Sequence, residues 1–255
     1  MLQALIFDVD GTLSETEETH RAAFNTAFAE AALGWVWDQS LYRRLLDVTG
    51  GKERLRYFLE SFDAPRSPAV PTDEAELTAW IAALHSRKTA LYNELVASGA
   101  ASLRPGVEAL INEARTAGIR LAIATTTSLT NVESLIRATL GPNGLSLFDA
   151  IAAGDMVGAK KPAPDVYLLT LEQLGLAPQA CLALEDSLNG LRSAHAAQLS
   201  VVITPSIYTT HQAFPQALTS VCDLAALAKD TTRSAMAGHQ ILTSLRALHA
   251  GKPAF

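Results

Sequence analysis

Hydrophobic and polar positions along the chain fall into two regimes. A short apolar run at 2–9 is rich in strand formers and ends in Asp8-Val9-Asp10-Gly11-Thr12, where the glycine marks a tight turn. The pattern predicts a buried strand that delivers carboxylates at its C-terminal end. From Glu15 to about Val96 the apolar spacing becomes helical: Ala23, Phe24, Ala27 and Phe28, then Leu41, Leu45 and Leu46, then Leu77, Trp80, Ile81 and Leu84. No strand-like run interrupts it, so an all-helical insert is expected, broken over 61–71 by a loop carrying Pro65, Pro68 and Pro71.

After Leu103-Arg104-Pro105-Gly106 helices and short apolar runs alternate. Helices are expected near 106–117, 130–139, 164–174 and 188–197, and strands at 119–124, 148–152, 181–184 and 200–203. Strands separated by single helices imply right-handed crossovers. The expected fold class is therefore α/β, a doubly wound parallel sheet with an inserted all-helical domain. Its parts are a core of residues 1–13 and 100–229, the insert at 14–99, and a tail at 230–255. In the tail only Ile241, Leu242, Leu245 and Leu248 repeat with a helical period, and nothing gives it a place.

The 255 residues fit between one and two domains at about 150 per domain, which agrees with one large core and a smaller appendage. With 49% hydrophobic and 18% charged side chains, disorder is excluded. The formal charge of −6 and the lack of any Lys/Arg run remove the footprint of a nucleic-acid binder. Cys181 and Cys222 have no Cys or His close by, giving neither a disulfide framework nor a zinc site. The first seven residues have no basic region or cleavage site, and no apolar stretch approaches the roughly 18 residues of a membrane span. A cytoplasmic monomer is expected, with neither nucleic acid nor membrane as partner.

Ligands of such sheets sit beyond the carboxyl ends of the strands, and the polar clusters fall there. Asp8 and Asp10 alone also have a plain, less favoured reading as turn caps that meet solvent. Glu185-Asp186 on another strand end changes the weighing, because carboxylates converging at one sheet edge repel unless a cation sits between them. Oxygen ligands favour a hard ion, Mg²⁺ first. Asp186 also has a plain reading as the N-cap of the next helix. Thr125-Thr126-Thr127-Ser128 closes a strand and opens a helix, so it either caps that helix or offers hydroxyls and N–H groups to an anion. Lys161 is either a solvated loop residue or a charge that neutralises a phosphoryl group. Gly50-Gly51-Lys52 suggests a P-loop, but Glu53 stands where Ser or Thr is needed. No G-x-G-x-x-G follows the first strand, and G-x-S-x-G and H-E-x-x-H are absent.

Phe7-Asp8-Val9-Asp10-Gly11-Thr12, Thr125 at a strand end, Lys161 before Pro162, and Leu184-Glu185-Asp186-Ser187-Leu188-Asn189-Gly190 resemble the four ordered motifs of the haloacid dehalogenase superfamily. The long helical stretch between the first two motifs is similar to that of members with an α-helical C1 cap. Within that group, the segments 14–20, 49–54, 124–128 and 153–156 resemble CbbY-type phosphatases, which remove phosphate from xylulose-1,5-bisphosphate. The likeness runs from about residue 1 to about 225.

The resemblance implies a Rossmann-like core, with Asp8 as a nucleophile that becomes an aspartyl-phosphate and Asp10 as general acid/base. It implies Mg²⁺ held by Asp8, the Asp10 backbone carbonyl and Asp186, with Glu185 close by. Thr125 to Thr127 and Lys161 would hold the transferring phosphoryl group. Glu17, Tyr42, Gly50, Gly51, Lys52, Arg54, His85 and Lys88 would read the sugar and its second phosphate. Each cap residue also has an ordinary reading: Ser14-x-x-Glu17 is a capping box, Gly50-Gly51 a bend between helices, and Tyr42, His85 and Lys88 amphipathic-helix residues. The alternatives are a phosphosugar mutase of the β-phosphoglucomutase type, a less specific phosphatase, and a non-catalytic phosphosugar sensor.

Overall fold

A computed structural model describes residues 1–62, 67–229 and 241–251; Pro65 and the tail segments 230–240 and 252–255 lie outside these described residues. The chain runs β1 (Ala4–Phe7), α1 (Glu17–Glu30), α2 (Gln39–Leu45), α3 (Gly51–Ser61), α4 (Glu74–Ala97), α5 (Val107–Thr116), β2 (Arg120–Ala124) and α6 (Leu129–Leu140). It continues through β3 (Ala150–Ala152), α7 (Asp165–Leu174), β4 (Cys181–Glu185), α8 (Leu188–Ala196), β5 (Ser200–Ile203), β6 (Thr219–Ser220), α9 (Ala226–Lys229) and α10 (Ile241–Ala250). No helix among the described residues is long and apolar enough to cross a membrane.

The strands form one parallel sheet in the order β3-β2-β1-β4-β5-β6. All four residues of β1 are buried, as a central strand covered on both faces requires. Ala4 pairs with Arg120 on one side and Cys181 on the other, so β1, β2 and β4 end level with one another. That alignment places Asp8, Thr125, Glu185 and Asp186 at one edge. Two details differ from the expectation. The third strand starts at Ala150 because a 3-10 turn, Gly144–Leu147, occupies the chain just before Phe148. A sixth strand, β6, is only two residues long and carries no periodic signal.

Helices α1 to α4 intervene between β1 and α5 and enclose an aromatic cluster of Phe24, Phe28, Trp35, Trp37 and Phe58. The two linkers of this insert lie side by side. Ser14 bridges Leu103, its Oγ donates to the Ser102 carbonyl at 2.6 Å, and Arg104 N donates to the Leu13 carbonyl at 2.9 Å. Ser14 is thus spent on the linker and the capping box does not form; α1 begins after Thr16 with no side-chain cap. The helical period at 241–248 is a real helix. α10 packs on α5, where Leu242 N donates to Glu113 Oε2 at 2.8 Å.

Candidate active site

Asp8 is the first residue beyond β1, and its N donates to the Leu184 carbonyl at 3.0 Å. Lys161 Nζ donates to Asp8 Oδ1 at 2.6 Å, to Glu185 Oε1 at 2.6 Å and to the Ala124 carbonyl at 2.9 Å. One buried ammonium therefore ties together the ends of the three central strands. Glu185 also accepts from Tyr167 at 2.6 Å, and a Cβ on Gly190 would lie 1.9 Å from its Oε2. Only glycine leaves room for that carboxylate under α8. Asp186 does not cap α8, because Ser187 does so by accepting from Gly190 N at 3.1 Å. Asp186 instead accepts from Thr209, whose Oγ1 is 3.3 Å from its Oδ2 and 3.1 Å from Ser206 Oγ.

Ligand oxygens of Asp8, Glu185 and Asp186 lie within 4.8 Å of one another, all buried. Burial, only partly offset by Lys161, pushes Asp8 up to about 8, and burial with the charges of Asp8 and Glu185 pushes Asp186 well above the carboxylate range. Burial works against the Lys161 charge, yet Asp8 and Glu185 hold its pKa above the ordinary lysine value. Ionising all three carboxyls would leave an excess of negative charge over the one ammonium, so this all-oxygen cluster fits a hard divalent cation.

Asp10 belongs to a second network. Its Oδ1 accepts from Thr16 Oγ1 at 2.5 Å and lies 3.0 Å from His20 Nε2. On the far side of that ring, Lys88 Nζ stands 2.5 Å from His20 Nδ1. The ring stacks on Tyr92 with centroids 4.0 Å apart. Burial raises the pKa of Asp10, but His20 and Thr16 outweigh it and hold the carboxyl down to about 2. Burial and the Lys88 charge keep His20 below its usual value, and burial pulls Lys88 down to about 7.

These groups open into one cavity of about 900 Å³ between the sheet edge and the helical insert. Asp8, Asp10, Glu17, Gly50, Gly51, Lys52, Arg54, His85, Lys88, Thr126, Thr127, Lys161 and Asp186 line it. Three residues expected at the ligand stand one layer behind. Tyr42 is fully buried, donates to Glu17 Oε2 at 2.9 Å and accepts from Arg54 Nη1 at 3.0 Å, so it aims Glu17. Thr125 accepts from Thr127 N at 3.2 Å, and Glu185 is committed to Lys161 and Tyr167. Arg54 is buried too, with Nε and Nη2 on the Leu45 and Val48 carbonyls, which braces the turn into Gly50. At Gly50, φ of 98° excludes most side chains. Gly51 lets His85 approach, since a Cβ there would be 2.3 Å from its Nε2. Burial, with Lys88 and other cations nearby, lowers His85 to about 3, so its ring is neutral. Ser128 caps α6 by accepting from Asn131 N, leaving Thr126 and Thr127 to the cavity.

Sequence reasoning did not single out Thr16 or His20 within the 14–20 run, nor Lys160, which pairs with Glu53 at 2.9 Å across the cavity rim. Asn189 reaches Thr49 Oγ1 at 3.2 Å, and Tyr208 donates to Glu18. Asn189 in the first turn of α8 and Tyr208 and Lys160 in loops thus join the sheet edge to the helical insert.

Residues 2–198 match the haloacid dehalogenase-like hydrolases. Protein CbbY of Cereibacter sphaeroides is 50% identical over 231 residues, covering 89% of this chain and 96% of that protein. Protein CbbY of Rhodobacter capsulatus is 53% identical over 227 residues with the same coverage. Among solved structures, a mutant CbbY from Rhodobacter sphaeroides in complex with xylulose-(1,5)bisphosphate is similar at a TM-score of 0.82 and 49% identity, over 89% of this chain and 96% of that one.

Proposed function

The chain belongs to the haloacid dehalogenase-like hydrolases, and from that membership we propose that it is a Mg²⁺-dependent phosphatase converting xylulose-1,5-bisphosphate to xylulose 5-phosphate. The observation that carries the reading is the cavity where Asp8, backed by Lys161, meets Asp186 on one side and the separately held Asp10 on the other. The substrate choice is supported by half of the residues being shared with CbbY, a protein with a structure in complex with that bisphosphate.

Asp8, Asp186 and the Asp10 carbonyl are assigned to Mg²⁺, and Glu185 to Lys161. The bound cation would neutralise charge on the phosphoryl oxygens and hold the phosphate in line. An Asp8 oxygen attacks phosphorus, the bond to the sugar oxygen breaks, and Asp10 gives that oxygen a proton. Asp10 is ionised at rest, so the proton must first reach it; His20 Nε2 stands 3.0 Å away with Lys88 Nζ at its other ring nitrogen, a path by which Lys88 gives a proton to Nδ1 as Nε2 passes its own to Asp10. Water then attacks the aspartyl-phosphate, Asp10 takes its proton, and inorganic phosphate leaves with Asp8 regenerated. Lys161 cancels charge throughout, and Thr126 and Thr127 offer hydroxyls to the remaining oxygens. Residues 14–99 act as the cap: Gly50, Gly51 and Lys52 take the uncleaved phosphate, and Glu17, aimed by Tyr42, reads the sugar hydroxyls.

Initial-rate kinetics on xylulose-1,5-bisphosphate, ribulose-1,5-bisphosphate and β-glucose 1-phosphate, with Mg²⁺ and with excess EDTA, test the reading. The expected result is the highest kcat/KM on the xylulose isomer and no turnover in chelator. Parity between the bisphosphates, or interconversion of glucose 1- and 6-phosphates, would replace it.

A further inference from the structure

We infer that Arg104 is a positioning residue: from the linker by which the chain returns from the helical insert, it ties the turn bearing Asp10 to the loop that orients Asp186. The inference rests on the phosphatase reading above. Arg104 is only 8% exposed and does not line the cavity. Its Nη1 donates to the Gly11 carbonyl, to the Thr204 carbonyl at 2.6 Å and to Thr204 Oγ1 at 3.3 Å. Nη2 donates to the carbonyls of Pro205 at 2.9 Å and Cys222 at 3.0 Å, and Nε lies 3.3 Å from Glu15 Oε1.

These acceptors come from separate segments, and two of them lead straight to reacting groups. Gly11 follows Asp10 and is pressed so closely on Asp186 that a Cβ there would lie 2.4 Å from Asp186 Oδ2. Thr204 and Pro205 lead into Ser206, whose Oγ meets Thr209 Oγ1 at 3.1 Å, and Thr209 Oγ1 in turn donates to Asp186 Oδ2 at 3.3 Å. A shift in either carbonyl therefore moves an Asp186 contact. The guanidinium suits the task because its five N–H groups fan out in one rigid plane, whereas a lysine offers three from a single point. The linker cannot drift to compensate: Arg104 N is fixed to Leu13, and a Cβ on Gly106 would meet Ala225 N at 2.4 Å.

The test compares R104K and R104M with wild type by calorimetric Mg²⁺ titration, kcat, KM and melting temperature, with S206A and R104K/S206A alongside. R104K keeps the charge but not the fork. Misplacing reacting groups by about 1 Å costs on the order of 100-fold, so R104K should lose about 10- to 100-fold in kcat and weaken Mg²⁺ binding, with KM changed less than about threefold. S206A should weaken Mg²⁺ binding in the wild-type background and add little to R104K, because both act on Asp186 through one loop. Wild-type kcat and Mg²⁺ affinity in R104K, whatever its melting temperature, would reduce Arg104 to a structural tie and overturn the inference. R104K decides even where R104M does not fold. If wild type hydrolyses no phosphosugar, the phosphatase reading falls, while the Mg²⁺ titrations still decide whether Arg104 orders the carboxylates.

Discussion

Asp8 and Asp10 stand on one turn in opposite electrostatic surroundings. Asp8 sits among carboxylates that burial makes costly, and Asp10 is held ionised by donors. The proposed roles need the reverse of these resting states, Asp8 ionised and Asp10 carrying a proton, so the reading requires both a cation beside Asp8 and a proton delivered to Asp10. Asp8→Asn should fold normally and lose at least about 10³-fold in kcat. Near-full turnover, or no labelled phospho-aspartate in quenched wild type, would remove Asp8 from the chemistry. Both aspartates were legible in the sequence because carboxylates stand out at the end of an apolar run. Arg104 and Tyr208 were not, since each is one polar side chain on a loop, and their partners Thr204 and Glu18 lie 100 and 190 positions away. His20 was legible in principle, one helical turn after Glu17, but its place beside Asp10 needs the linker geometry that no periodicity encodes.

The level strand ends of β1, β2 and β4 put the chemistry at one edge, and the element pattern foretold this because each strand is a short apolar run between helices. β6 escaped notice because two residues cannot show a period, and α10 showed its period but not its partner, which a helix face alone does not name. Across the cavity rim, Lys160–Glu53, Asn189–Thr49 and Tyr208–Glu18 join the sheet edge to the insert. Exposed ion pairs contribute about 0–1 kcal/mol, so Lys160→Ala should leave the unfolding free energy almost unchanged. Its effect should appear instead as a severalfold higher KM for the bisphosphate, with kcat nearly kept, because the closed rim is favoured less. Urea denaturation alongside steady-state kinetics checks this, and a large stability loss with unchanged KM would count against it.

For the molecule as a whole, Lys88 sets a pH dependence. It is buried on α4 over the rings of Phe24 and Tyr92 and faces His20, with Asp10, Glu17 and Arg54 near enough to act on its charge. Below about pH 7 it is charged in both folded and unfolded chains; between about 7 and 10.5 only the unfolded chain holds the proton. The unfolded state then binds more protons, so stability from this group rises with pH across that window. Wild type should therefore gain stability relative to Lys88→Met as pH rises from 7 to 10. Parallel chemical denaturation curves for the two proteins at several pH values would reveal a flat difference if the lysine keeps its ordinary affinity for protons.

Lys161 joins three strand ends through Asp8, Ala124 and Glu185. In that position it serves as a resident counter-ion, supplied by the chain itself before any metal arrives. On the proposed reading, newly made protein assembles its acidic edge first and collects its cation afterwards, and a chelated sample should remain folded and regain activity on dilution into Mg²⁺. Lys161→Met takes away that independence. Its buried carboxylates would face one another unneutralised, and circular dichroism should find the variant folded with millimolar Mg²⁺ and unfolded or markedly less stable in EDTA, a protein whose folding has become conditional on its metal supply.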